Sequence, residues 1–211
     1  MKVAIPYRQT SDNGYELRYS IRSMAKHFRS MTGFLLIGDK PDWYTGEHIP
    51  AIDIPGKKEW NIVNKILLCP YEDFLFSMDD VFALQDFDGS LPLYYSGTLK
   101  DEKLFDLYIQ RRDNVMRMYP DGMFYDVHAP HVVNRELYHK CQPVDWNARQ
   151  YLCKSIYGNF VGGGLMYEDF KVRKLKDVEI DTGRQFFSSS NYIASRIDFE
   201  GLFPLKSEYE T

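Results

Sequence analysis

The spacing of apolar positions changes period along the chain, and the changes divide it into elements. Val3 to Ile5 is a short continuous apolar run, as in a strand buried on both faces, and it enters a polar, turn-forming loop, PYRQTSDNGY. From Tyr15 to Phe28, the residues Leu17, Ile21, Met24 and Phe28 recur at three- and four-residue steps, which predicts an amphipathic helix with Asp12 or Asn13 available as its cap. GFLLIGD predicts a second strand, PDWY a turn, HIPAIDIPG a shorter third strand, and NIVNKILLC a helical segment before Pro70. DFLFSMDDVFAL then reads as a further buried strand carrying two adjacent aspartates. This alternation predicts an α/β domain with a mainly parallel central sheet flanked by helices.

Beyond Phe87 the pattern is more mixed. LPLYYSG predicts a strand, KLFDLYIQRRDNVMRMY a helix, and MFYDVHAPHVVNRELYHKC a strand or loop running into a helix. DVEIDTGRQFFSSSNY predicts one or two late strands. No internal repeat or linker interrupts the 211 residues, so a single domain over 1–211 is expected.

Composition narrows the classes of function. Hydrophobic residues at 44% and charged residues at 27% are those of a folded, soluble chain, which argues against disorder. A net charge of -4 excludes a global basic field toward nucleic acid or anionic lipid and leaves only a local basic cleft open. Cys69, Cys141 and Cys153 are odd in number and widely spaced, against a disulfide framework or a cysteine-based zinc site, so a reducing cytoplasm is the expected compartment. No window approaches the roughly 18 apolar residues of a membrane span, and the start MKVAIPYR does not read as a leader.

Candidate chemistry begins with Asp79 and Asp80. Ligands of open α/β sheets bind outside the carboxyl ends of strands, where FLFSM delivers this pair. Two adjacent carboxylates there hold a divalent cation in one reading, and end a strand and cap a turn in the other. Arg8, in the loop after the first strand, is a candidate phosphate ligand. Arg18 and Arg22 share a helix face, with Arg22 expected in a solvated stripe; Arg111 and Arg112 are expected on a solvent-facing turn. His128 is the candidate proton-transfer group, with His131 expected to be hydrogen-bonded in the interior. YGNFVGGG lacks the spacing of a nucleotide fingerprint and reads as turn-forming glycines, and SSS at Ser188 to Ser190 lacks a nucleophile-elbow pattern.

These stretches line up with a known family. NGYELRYSIRSMAKHFRSMTGFLLIGDKPDWY resembles the second conserved region of the Stealth proteins, a helix of E-L-R-Y-S-L-R-S type followed by a strand and a P-x-W turn. FLFSMDDVF resembles that family's F-x-x-x-N-D-D-V-F segment, with Met78 where Asn is usual. DVHAPHVVNRE is similar to the third region, which opens on H-x-P, and QFFSSSNY with LFPLKSEYE to the fourth, with Asn191 where Asp is usual. The pieces occur in the same order and span most of the chain.

The resemblance implies a compact phage or prophage type with a GT-A-like fold, residues 1–87 forming a donor-binding half and 88–211 an acceptor and catalytic half. It implies transfer of a glycosyl or hexose 1-phosphate group from a nucleotide sugar to an acceptor hydroxyl, on a glycan or on a hydroxymethylated DNA base. It further implies catalytic roles for His128, Asp80 and Arg149, donor contacts from Arg8, Arg18 and Asp79, and magnesium or manganese on Asp79 and Asp80. A non-catalytic glycan- or nucleotide-binding module of the same fold is the alternative from another class.

Overall fold

A computed structural model describes residues 1–9, 11–146, 148–173 and 180–211, with the side chains of all of these except Asn191 and Tyr192. The departure at Asn191, and part of the late DVEIDTGR stretch, therefore lie outside the described residues.

Strands β1 (Lys2–Tyr7), β2 (Gly33–Gly38), β3 (Glu47–Ile49) and β4 (Asp73–Phe76) run parallel, and β7 (His131–Asn134) closes one edge antiparallel, in the order β3-β2-β1-β4-β7. Register sets Val3 beside Phe34 and Leu75, and Ala4 beside Leu35 and Phe76. Successive side chains of a strand point to opposite faces. Val3, Ile5, Phe34, Leu36 and Leu75 accordingly bury with Leu17, Ile21 and Met24 of helix α1 (Tyr15–His27). Ala4, Leu35, Ile37, Phe74 and Phe76 bury on the other face, with α2 (Lys58–Leu67), α3 (Asp106–Met116), α4 (Arg135–Cys141) and α5 (Cys153–Val161). Helix α5, which no apolar periodicity announced, supplies Ile156 and Tyr157 to this core.

The run DFLFSMDDVFAL is two strands in two sheets. β4 ends at Phe76, the chain turns through Asp79 and Asp80, and β5 (Val81–Ala83) pairs antiparallel with β10 (Phe186–Ser189), itself beside β9 (Lys171–Val172). The break is held by serines of α1. Ser20 Oγ donates to the Val81 carbonyl at 2.7 Å, and the Ala83 N–H donates to Ser23 Oγ at 3.0 Å. Buried backbone groups need partners, and these hydroxyls satisfy two that the first sheet leaves behind. The predicted strand LPLYYSG contracts to β6 (Tyr94–Tyr95), paired with β8 (Leu165–Met166). Chain entry to β8 runs through Gly162, Gly163 and Gly164, all at positive φ, and a side chain on Gly164 would meet the Leu93 carbonyl, so these glycines serve turning and close approach.

Short helices α6 (Asn191–Ala194) and α7 (Phe199–Leu202) cover the second sheet, where Phe82, Phe187 and Phe199 pack together. The C-terminal segment then returns to α1. Arg22 is buried rather than solvated, because its guanidinium holds Glu210 through Nε and Nη2, both at 2.8 Å, and donates to the Phe203 carbonyl. Among the described residues, no helix is long and apolar enough to cross a membrane.

Candidate functional site

Strand order reverses at β1: the chain builds β2 and β3 to one side of it and β4 to the other. Such a switch point leaves a crevice at the carboxyl ends of the two central strands, which is the usual ligand site of open α/β sheets. A cleft of about 430 Å3 opens there, lined by Pro6 near the end of β1, Arg8 just after it, and Met78 and Asp79 after β4. Lys58 and Lys65 of α2 and Arg111 of α3 add positive charge, against Asp53 and Asp79. Lys65 is buried; it donates to the Tyr7 carbonyl at 2.8 Å and ion-pairs with Asp53 Oδ1 at 2.7 Å. It ties the end of β1 to the segment after β3. Arg8 is exposed over the cleft with its Nε 4.0 Å from Asp53, leaving its guanidinium able to reach an anion.

Asp79 and Asp80 diverge. Asp79 lines the first cleft, whereas Asp80 Oδ2 accepts from Lys171 Nζ at 2.8 Å, and Lys171 lines a second cleft. The buried Glu16 of α1 lies close by and accepts from Ser189 Oγ; burial pushes its carboxyl up to about 7. Burial first, and then the neighbouring Asp80 and Glu16 carboxylates, push the Asp79 carboxyl up as well. Three carboxyls crowd this turn and Lys171 answers one of them, so an added cation would relieve the crowding. By charge and oxygen donors this turn suits a divalent ion, while among the described residues Glu16, Asp79 and Asp80 do not converge as a three-ligand cluster.

The second cleft, of about 550 Å3, has Phe105, Tyr108, Phe124 and Leu152 on its walls and His128, Asp169 and Lys171 among its polar groups. Tyr108 lines both clefts, so the two are neighbours. The first turn of α5 straps the segment that carries His128. Asp126 Oδ2 accepts the Ser155 N–H at 2.8 Å, an anionic cap where the helix dipole favours one. Ser155 Oγ accepts the Tyr125 N–H, and the buried Lys154 Nζ bonds the carbonyls of Val127 and Ala129 at 2.7 and 2.8 Å, on either side of His128. Burial pulls the Lys154 ammonium down in pKa, although Asp126 opposes this. His128 in turn bonds Asp169 through both its ring and its backbone.

The structure thus gathers Arg8, Asp79, Asp80 and His128 around two adjoining clefts. Arg18 lines neither; its guanidinium lies 4.8 Å from the Trp43 ring centroid and 3.7 Å from Glu210. Arg149 also lines neither, and is half exposed with Nη1 3.0 Å from Asp145. Arg111 is not on a solvent-facing turn: it is buried and ion-paired with Glu59 at 2.5 Å. His131 is interior as expected, but among the described residues neither ring nitrogen has a hydrogen-bond partner, and burial holds its pKa well below the ordinary value.

Glu59, Asp126 and Cys153 bring one ligand atom each within 4.8 Å of one another, among the described residues. Each is already engaged: Glu59 with Arg111, Asp126 with the amides of α5, and Cys153 as a thiol held protonated by burial. Asp169, Lys171, Lys65 and Lys154 were not singled out in the sequence. They occur in YEDFKV, VNKIL and LCKSI, where a charge within a short, partly apolar stretch is the only signal available.

No described protein family matches the chain, and no curated protein matches it. Among solved structures, it is similar to the galactosyltransferase LgtC, solved in complex with donor and acceptor sugar analogues, with a TM-score of 0.51 and 11% identity over 98% of this chain and 96% of that one. The fold is that of the GT-A glycosyltransferases, a mixed α/β domain with a mainly parallel central sheet flanked by helices.

Proposed function

We propose that the protein is a nucleotide-sugar-dependent transferase of Stealth type, moving a glycosyl or hexose 1-phosphate group to an acceptor hydroxyl. The observation that carries this reading is the pair of adjoining clefts at the switch point: Asp79 lines the first, and its neighbour Asp80 holds Lys171, which lines the second. A group handed from one ligand to another must pass between two sites, and here the turn between them is acidic and backed by the central strands. The basic first cleft suits a nucleoside diphosphate, with Arg8 and Lys58 as the cations available to its phosphates. The second cleft joins aromatic walls to His128, which suits a sugar ring presented hydroxyl-first. It is drawn wholly from residues 88–211, while the first comes mainly from 1–87, as a donor half and an acceptor half would be. The LgtC likeness supports a nucleotide-sugar donor, because that protein was solved with donor and acceptor sugar analogues on the same fold.

Asp79 and Asp80 would hold magnesium or manganese, whose role would be to neutralise the charge of the phosphates. His128 would take the proton of the acceptor hydroxyl. Incubation with a panel of nucleotide sugars and a glycan acceptor tests the reading. Release of nucleoside diphosphate identifies glycosyl transfer, release of nucleoside monophosphate identifies sugar-phosphate transfer, and release of neither with any donor overturns the enzyme.

A further inference from the structure

His128 makes two bonds to a single side chain. Its backbone N–H donates to Asp169 Oδ1 at 2.9 Å, and its ring Nδ1 lies 2.6 Å from Asp169 Oδ2. The two side chains are 26% and 25% exposed at the second cleft, so the pair is open to a ligand without being free in solvent. Burial would raise the Asp169 carboxyl, but its bonds with His128 outweigh this and hold it below the ordinary carboxylate range. An ionised carboxylate only accepts hydrogen bonds. The ring nitrogen facing it must therefore carry a proton, and the other nitrogen, Nε2, is turned away from Asp169.

We propose that Asp169 is a positioning residue that locks neutral His128 in the Nδ1–H tautomer, leaving the Nε2 lone pair to accept the proton of the acceptor hydroxyl. The inference rests on the transferase reading above. In the step it serves, the hydroxyl O–H bond breaks and its proton passes to Nε2. The hydroxyl oxygen bonds to the transferred carbon or phosphorus, and the bond from that atom to the nucleotide's phosphate oxygen breaks, its electron pair leaving with the nucleotide. The imidazolium so formed lies against Asp169, which stabilises it by charge. The scaffold is arranged for one ring position, because Lys154 holds the carbonyls on both sides of His128 and the backbone bond to Oδ1 fixes the carboxylate in rotation.

That backbone bond also makes Asp169→Asn a specific test. An amide has one carbonyl oxygen, and the His128 N–H claims it, so the amide NH2 turns to Nδ1 and forces the ring proton onto Nε2. The expected result is a kcat at least about 100-fold lower, the usual contribution of a general base, with donor KM within about twofold. Nitrogen-15 spectra of the ring, assigned with His128→Gln among the five histidines, should show the neutral form protonated at Nδ1 in the wild type and at Nε2 in Asp169→Asn. Asp169→Glu, which keeps an acceptor-only group, should recover part of kcat. A wild-type ring protonated at Nε2 overturns the inference, as does an Asp169→Asn enzyme with unchanged tautomer and turnover while His128→Gln is inactive. A fully active His128→Gln overturns the base role and the inference together. If no nucleotide sugar is consumed at all, the transferase reading has failed, and the ring spectra of the wild type and Asp169→Asn alone decide the positioning claim.

Discussion

The guanidinium of Arg22 meets the carboxylate of Glu210 through two hydrogen bonds of 2.8 Å, across 188 positions of chain. Glu210 is almost wholly enclosed, and its Oε1 also accepts from the N–H and Oγ of Ser207. The bidentate geometry and the extra donors are what a buried ion pair needs to repay its desolvation. Glu210→Ala strands the Arg22 charge and should lower unfolding free energy by about 3 kcal/mol in urea titrations at pH 7. The Glu210 carboxyl is held below its ordinary value of 4.5 by Arg22 and Ser207, against burial. Its stabilisation is therefore present above that value and lost as pH falls through the lower folded one. The gap between wild type and Glu210→Ala should accordingly shrink in acid, and a gap constant with pH would show that the charge is not what is lost.

Ser20 and Ser23 make a second prediction, because they hold the strand that follows the acidic turn. Ser20→Ala leaves the Val81 carbonyl without its 2.7 Å donor, at a cost of about 1 kcal/mol. Val81 directly follows Asp80, so the larger effect should fall on the turn. Donor affinity, read by thermal shift with the preferred nucleotide sugar, should drop several-fold more than the stability loss accounts for. Equal donor affinity would separate the serines from the site.

These pairs explain how much was legible beforehand. The E-L-R-Y-S-I-R-S and F-P-x-x-S-x-Y-E stretches are recognisable as motifs, and the structure shows that they are two halves of one clamp: Arg22 grips Glu210, while Ser20 and Ser23 hold β5. Helix periodicity exposed α1 because its apolar face is regular. It could not expose Arg22 as buried, since an arginine on a helix reads as solvated until its partner arrives from the far end of the chain. The parallel strands were legible as apolar runs, and the placing of Asp79 and Asp80 at a strand end was legible too. The change of sheet between Phe76 and Val81 was not, because both strands are equally apolar and the break depends on hydroxyls of another element. Helix α5 escaped because its buried Lys154 and Ser155 interrupt the apolar pattern in order to hold the His128 segment.

Arginine placement separates two residues that the family resemblance puts at the site, Arg8 as a donor contact and Arg149 as a catalytic group. Arg8 reaches over the first cleft, whereas Arg149 is engaged with Asp145 on an exposed segment. Arg8→Ala should weaken nucleoside diphosphate binding about tenfold, equivalent to about 1.4 kcal/mol, while Arg149→Ala stays within about twofold. Calorimetric titration of the nucleotide into both variants checks this. The reverse order of effects would move the phosphate site away from the switch point.

The acidic turn predicts a dependence on cation. If Asp79 and Asp80 hold a divalent ion, nucleotide-sugar affinity should rise with added magnesium or manganese, and Asp80→Asn should remove most of that rise. Lys171→Met frees Asp80 of its present partner and should leave the rise intact or increase it. Calorimetry with and without metal on the three proteins reads the difference. Equal wild-type affinity in both conditions would mean that Lys171 alone answers the turn's charge.

Gly158 tests the strap beneath His128. It lies inside α5, and a Cβ there would stand 2.3 Å from Cγ of the Tyr125 ring. The clash cannot be relieved at a flexible tip, because the ring is buried and the Tyr125 N–H is fixed by Ser155. Glycine costs a helix about 1 kcal/mol relative to alanine, so intrinsic propensity alone would make Gly158→Ala stabilising. Overpacking by about 1–3 kcal/mol should more than reverse that, with Tm falling by several degrees. Displacement of Tyr125 should also carry to Asp126 and His128 on the same short segment, lowering kcat while nucleotide binding in the first cleft is retained. A Gly158→Ala protein of unchanged or higher Tm would show that Tyr125 yields, and that α5 holds His128 through Lys154 and Asp126 alone.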